Sequence, residues 1–191
     1  MSTAATSLCT ACGLCCNGVL FHLVRLQPGD SARGLTALGM KLRRKKGQHH
    51  FNQPCGFLEG CRCTIYAQRP ERCRLFECRQ LQKVAAGEST EAEAQALIGS
   101  VLGHVTRVEA LLSCAGNAKV RQPLAERYAR VMAEPCDPAW DAEGYALREA
   151  LRAEMTALNA ILNADFRLNP VELAAEVPED LRGQAETVTV D

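Results

Sequence analysis

Nine of the eleven cysteines fall between Cys9 and Cys78, and they constrain the fold more than any other feature of the chain. The same stretch carries Gly13, Gly18, Gly29, Gly34, Gly39, Gly47, Gly56 and Gly60, which interrupt any long helical period before residue 69. A segment so rich in glycine has little helix of its own and needs a cross-link. Disulfides and metal ions are the two candidates. Met1 to Leu8 shows no basic start followed by an apolar stretch, so no secretory signal is read there. An odd total of cysteines also pairs poorly. The expectation is a soluble, cytoplasmic protein whose thiols bind metal, since reducing compartments disfavour structural disulfides.

Spacing sharpens this. Cys9, Cys12 and Cys15 form a Cys-x2-Cys-x2-Cys run, which places sulfurs on one tight turn and matches the ligand run of bacterial ferredoxins. Cys16 follows directly. Adjacent side chains point apart, so Cys15 and Cys16 are expected to serve different roles or different metals. A second element supplies Cys55, Cys61, Cys63, Cys73 and Cys78. A closed tetrahedral site needs four ligands, so two sites use eight of the nine sulfurs. Proline suits a first helical position, and a helix is predicted from Pro70, with Leu75, Cys78, Leu81 and Val84 recurring at threes and Gly87 as the stop. On that helix Cys73 and Cys78 lie about 140° apart, so they do not point the same way. Cys73 falls in its first turn, where the positive helix end favours a thiolate. Arg69 and Arg74 flank Cys73 and are read as N–H donors to its sulfur. All-thiolate ligation suits an iron–sulfur cluster or Zn2+ alike, with copper(I) as a third soft metal. None of His22, His49, His50 and His104 stands at ligand spacing from the cysteines.

The pattern resembles the YkgJ-like family of small bacterial proteins, named for a Cys-x2-Cys-x2-Cys-Cys run and described as zinc- or iron-chelating. The likeness rests on Cys9, Cys12, Gly13, Cys15 and Cys16, on Cys55, Phe57 and Leu58, and on the run Cys63-x-Ile65-Tyr66-x2-Arg69-Pro70-x2-Cys73-Arg74. It covers residues 9–78. The resemblance implies Cys63 as the ligand in preference to Cys61, which departs from the usual pattern. The preferred ligands are then Cys9, Cys12, Cys15, Cys16, Cys55, Cys63, Cys73 and Cys78. Related motifs in flagellin lysine methylases imply an iron–sulfur cluster and turn the expectation toward iron. The resemblance names a binder, not a reaction.

The rest of the chain reads as helices. Thr90 with Glu93 is a capping box, followed by a stripe of Leu97, Val101, Val105, Val108 and Leu112 that ends at Gly116. A helix over residues 118–132 is interrupted or kinked by Pro123. Leu147, Leu151, Met155, Leu158 and Leu162 define a strong amphipathic helix, and Asn169-Pro170-Val171-Glu172 is another start signal before a polar tail from Pro178. The predicted fold is mainly α with an irregular, metal-nucleated cysteine-rich module and few or no strands. Its parts are a metal module over 1–88, a helical region over 89–168 packed on it, and a short helix with a frayed tail over 169–191.

Charge divides the chain. Residues 1–90 hold 13 Lys/Arg against 5 Asp/Glu, and residues 91–191 hold 9 against 17. Eight ligating thiolates would balance the basic half. Lys41 to Lys46 is read as a solvated loop. Aromatics make up 5% of the chain, which disfavours a stacking surface for nucleic acid. No apolar run approaches the roughly 20 residues of a membrane span. Cys114 and Cys136 read as ordinary thiols. No phosphate loop, dinucleotide fingerprint or nucleophile elbow is present, so any chemistry must come from the metal. A protein partner for the helical half is the remaining alternative.

Overall fold

A computed structural model describes residues 3–117, 119–139 and 141–168. The start signal at Asn169 and the polar tail lie outside the described residues. Helices account for about 53% of the structure and strands for 9%, so the chain is mainly α.

The helical half follows its sequence closely. Helix α5 (Glu91–Cys114) opens on the capping box: the Thr90 N–H donates to Glu93 Oε2 at 2.7 Å, and the Glu93 N–H donates to Thr90 Oγ1 at 3.2 Å. Its buried stripe is Ala94, Ile98, Val101, Val105, Val108 and Leu112, with Leu97 half-buried beside it. Helix α7 (Ala142–Asp165) buries Leu151, Met155, Leu158 and Leu162 against that stripe. By length and composition alone α5 could cross a membrane. Here its apolar face is packed into the core it shares with α7 and α1 (Thr3–Cys12). Helix α6 (Leu124–Ala133) begins only after Pro123, not at residue 118. The proline ring bars the preceding residue from helical geometry, so Pro123 starts this helix instead of kinking a longer one.

The cysteine-rich part is more regular than its glycines suggest. It opens on α1, a helix the glycine reading passed over because the first glycine comes only at residue 13. Strands β1 (Leu23–Arg25), β2 (Arg43–Lys45) and β3 (Gln48–Asn52) form an antiparallel sheet in the order β1-β3-β2. Helix α2 (Ala32–Ala37) lies between β1 and β2 in the chain. A hairpin of β4 (Leu58–Glu59) and β5 (Arg62–Cys63) follows. These strands are two to five residues long, too short for an alternating pattern to stand out. The basic run is not a loop. Arg43, Arg44 and Lys45 form the exposed edge strand β2, and Lys46 and Gly47 make the two-residue turn into β3 with φ of 49° and 83°. Positive φ at both turn positions matches the twist of the strands they join.

The helix expected from Pro70 is broken in two. Helix α3 (Glu71–Leu75) and helix α4 (Arg79–Ala85) are separated by extended backbone at Phe76 and Cys78. Tertiary contacts override the apolar period. The Phe76 ring meets Phe21 edge-on at 4.9 Å. Helix α4 is held by the end of α7: Arg79 donates to the carbonyls of Asn163 and Ala164, Gln80 Nε2 donates to the Asp165 carbonyl, and Lys83 pairs with the Asp165 carboxylate at 2.9 Å. At the other end, Asp30 accepts hydrogen bonds from the backbone N–H groups of Gln27 and Glu71, which ties the start of α3 to the loop after β1.

Two apolar cores result. The larger joins Leu8, Leu14, Val19, Leu20 and Leu81 to the stripes of α5 and α7. The smaller lies under the three-stranded sheet and consists of Val24, Leu26, Leu35, Met40 and Phe51.

Candidate metal centre

Cys9 and Cys12 lie three apart on α1, so they share one face of that helix. Gly13 ends α1 with φ +67°, and its N–H donates to the Cys9 carbonyl. A left-handed residue there turns the chain back and leaves Cys15 and Cys16 on the following turn. The Cys55 N–H donates to the Cys16 carbonyl at 2.7 Å, which brings the second cysteine element onto the first. Cys63 ends β5, Cys73 lies in α3, and Cys78 caps the start of α4. These eight cysteines and Cys61 line one cavity of about 800 Å3.

Within that cavity the thiols fall into two sets. Cys9, Cys12, Cys15 and Cys78 pack against the larger, helical core. Cys55 and Cys73 pack against the smaller, sheet core. Electrostatics draws the same line. Negative charge at Cys78 acts on Cys9, Cys12 and Cys15. Charge at Cys55 and Cys63 acts on Cys16 and Cys73. The sets meet where Cys16 acts on Cys15 and Cys9 acts on Cys16. Cys15 packs against the helical core, whereas the leading charges acting on Cys16 are those of Cys55 and Cys63. Cys73 and Cys78 also divide, because α3 and α4 are separate helices. Cys61 acts on Cys12, beside the first set.

Burial holds the thiols neutral. It pushes Cys9 up to about 11, and Cys12, Cys16 and Cys73 up to about 12. Cys15 is pushed well above its ordinary value, and Cys55 and Cys78 are raised. Cys78 caps α4 without a side-chain capping hydrogen bond, and the nearby backbone N–H groups of Leu81 and Gln80 offset part of its burial. Cys73 lies in the first turn of α3, and Cys78 stands at the start of α4. Arg69 stabilises thiolates at Cys9, Cys16 and Cys73 while its guanidinium stacks 3.7 Å from the Tyr66 ring centroid. Arg74 is exposed on α3. The expected balance of thiolates by the whole basic half fails on position. Arg25, Arg69 and Arg72 line the cavity, whereas Arg43, Arg44, Lys45 and Lys46 are exposed on the β2–β3 hairpin.

Among the described residues, no three His, Cys, Asp or Glu side chains converge closely enough to hold a metal ion. Neutral thiols have no electrostatic reason to converge. Closing either set requires deprotonation and inward rotation, and a cation supplies the driving force for both. The donor set itself suits a soft metal or an iron–sulfur cluster. Two polar atoms in the cavity wall, Gln53 Oε1 and Tyr66 Oη, are buried without a hydrogen-bond partner.

The sign of the pH dependence follows. Folded thiols titrating above the ordinary value of 9 favour the metal-free fold below pH 9, and that contribution is lost as the pH rises through about 11 and 12. Metal loading acts the other way, because each ligating thiol must release its proton. Titration calorimetry in buffers of differing ionisation heat should show about one proton released per ligating thiol at pH 7, with affinity falling steeply toward pH 5. Loading without proton release would mean that these thiols are not the ligands.

The histidines stand apart from the cavity. His104 pairs with Glu154 at 2.6 Å, and His49 and His50 lie on β3. Cys114 is exposed at the end of α5, and Cys136 faces Asp141 in the loop before α7. The Cys61 contact with the first set escaped sequence reading, since it depends on the β4–β5 hairpin folding back onto α1.

Residues 8–95 match the family model CxxCxxCC, whose description is "Putative zinc- or iron-chelating domain". This match supports metal binding by the thiol cluster. No curated protein and no solved structure shows significant similarity to the chain.

Proposed function

On the premise that residues 8–95 form a domain of the CxxCxxCC family, we propose that the chain holds two metal centres, one on each thiol set. The observation that carries this is that Cys9, Cys12, Cys15 and Cys78 pack against one apolar core and Cys55 and Cys73 against the other. Cys9, Cys12, Cys15 and Cys78 would hold an iron–sulfur cluster. They comprise a Cys-x2-Cys-x2-Cys run plus one distant cysteine, the ligand arrangement of ferredoxin clusters. Cys16, Cys55, Cys63 and Cys73 would hold a single zinc ion. They come from four separate points of the chain, and a closed ion there ties those points together. Arg69, acting on both sets, would offset part of the thiolate charge.

The first centre supplies electron- or cluster-carrier chemistry and the second supplies folding free energy. Free thiols at this density fit a reducing, cytoplasmic setting. A redox accessory or cluster-dependent enzyme is the second reading, favoured by the cavity's size, which falls within the range of small-molecule sites. Anaerobic purification tests the proposal through iron, zinc and acid-labile sulfide analysis with a visible spectrum. The expected protein is brown, bleaches with dithionite, and carries iron, sulfide and one zinc per chain. Colourless protein with zinc alone would overturn the cluster.

A further inference from the structure

We propose that Cys61 is a fifth ligand of the first thiol set and exchanges there with Cys12. The inference rests on the two-centre reading above. Three observations place it. Cys61 sits with Gly60 in the two-residue turn between β4 and β5, at the wall of the cavity. The turn folds back on the end of α1. A Cβ at Gly13 would lie 3.3 Å from Cys61 Cα and 3.6 Å from its Sγ, so the sulfur approaches the residue next to Cys12 through space that glycine leaves open. Finally, nine cysteines line the cavity, and two closed sites of four ligands leave one of them over. Cys12 is fixed on a helix, whereas Cys61 is carried on a short turn.

Exchange is balanced without any redox change. With a cluster bound, Cys61 would take the position that Cys12 leaves, and the Cys61 proton would pass to the Cys12 sulfur. No electron is transferred. A spare thiol of this kind would let one ligand position change hands while Cys9, Cys15 and Cys78 stay in place. That is the property a carrier needs when it receives or releases a cluster.

The test compares C12S, C61S, the double variant C12S/C61S and C9S, each purified anaerobically and analysed for iron, sulfide and zinc. C12S and C61S should each keep most of the wild-type iron, while the double variant loses it as fully as C9S. Iron lost from C12S to the extent seen in C9S would overturn the exchange. So would loss from C61S alone, or retention in the double variant. Zinc content and far-UV circular dichroism show whether each variant has folded. Wild-type protein without iron or zinc on the first set would sink the two-centre reading instead. An independent measurement uses the unmutated, loaded protein. After limited alkylation with iodoacetamide, in which the exposed Cys114 also reacts, label within residues 9–78 should divide between Cys12 and Cys61. Label in that stretch confined to Cys61 would overturn the proposal even if every variant fails to fold.

Discussion

Stripping metal from the purified protein at neutral pH is expected to unfold the cysteine-rich part while leaving most of the α5–α7 helical signal. The physical reason is the unequal size of the two cores. The sheet core has five buried apolar side chains, Val24, Leu26, Leu35, Met40 and Phe51. Each contributes about 1.5–3 kcal/mol on burial. A structural zinc site adds roughly 10–16 kcal/mol in peptide models at pH 7, as much as those five side chains together. The helical core needs no such help, because long stripes on α5 and α7 cover each other. Hydrogen exchange should therefore show protection lost over residues 23–75 and retained over 94–112 and 151–162. Limited proteolysis should cut first in the former. Equal protection before and after chelation would mean that the metal is a passenger in a preformed fold.

The second large effect concerns neighbours in sequence. Cys15→Ser should abolish the iron and sulfide of the first centre and spare the zinc of the second. Cys16→Ser should do the reverse. Each change removes one of four ligands from its own set, because Cys15 and Cys16 are assigned to different sets. C16S also loses the zinc proposed to hold the sheet region together, so this variant should melt at a lower temperature than C15S. Elemental analysis of the two proteins decides the matter. If both variants lose the same metal to the same degree, the cysteines form one joint centre and the division into sets is wrong.

How much of this was legible beforehand differs from element to element. The capping box at Thr90 and the stripes of α5 and α7 were readable because they are local: helix period and cap chemistry repeat within a few residues. The break at Phe76–Cys78 was not. Leu75, Cys78, Leu81 and Val84 keep a helical period, and only docking of α4 against the end of α7, more than 80 residues away, splits it. That break sends Cys73 to one set and Cys78 to the other.

The cysteine spacing, by itself, determined that thiols would gather and that the residues flanking them would be turns and short elements, since ligand runs and glycines are local signals. It left open how nine sulfurs divide. Tertiary structure decided that. Cys9, Cys12, Cys15 and Cys78 are assigned by lying against the helical core, Cys55 and Cys73 by lying against the sheet core, and Cys61 by the fold of a hairpin onto Gly13. Partition among like ligands depends on which distant elements pack together, and packing is a property of the assembled cores that no spacing along the chain records.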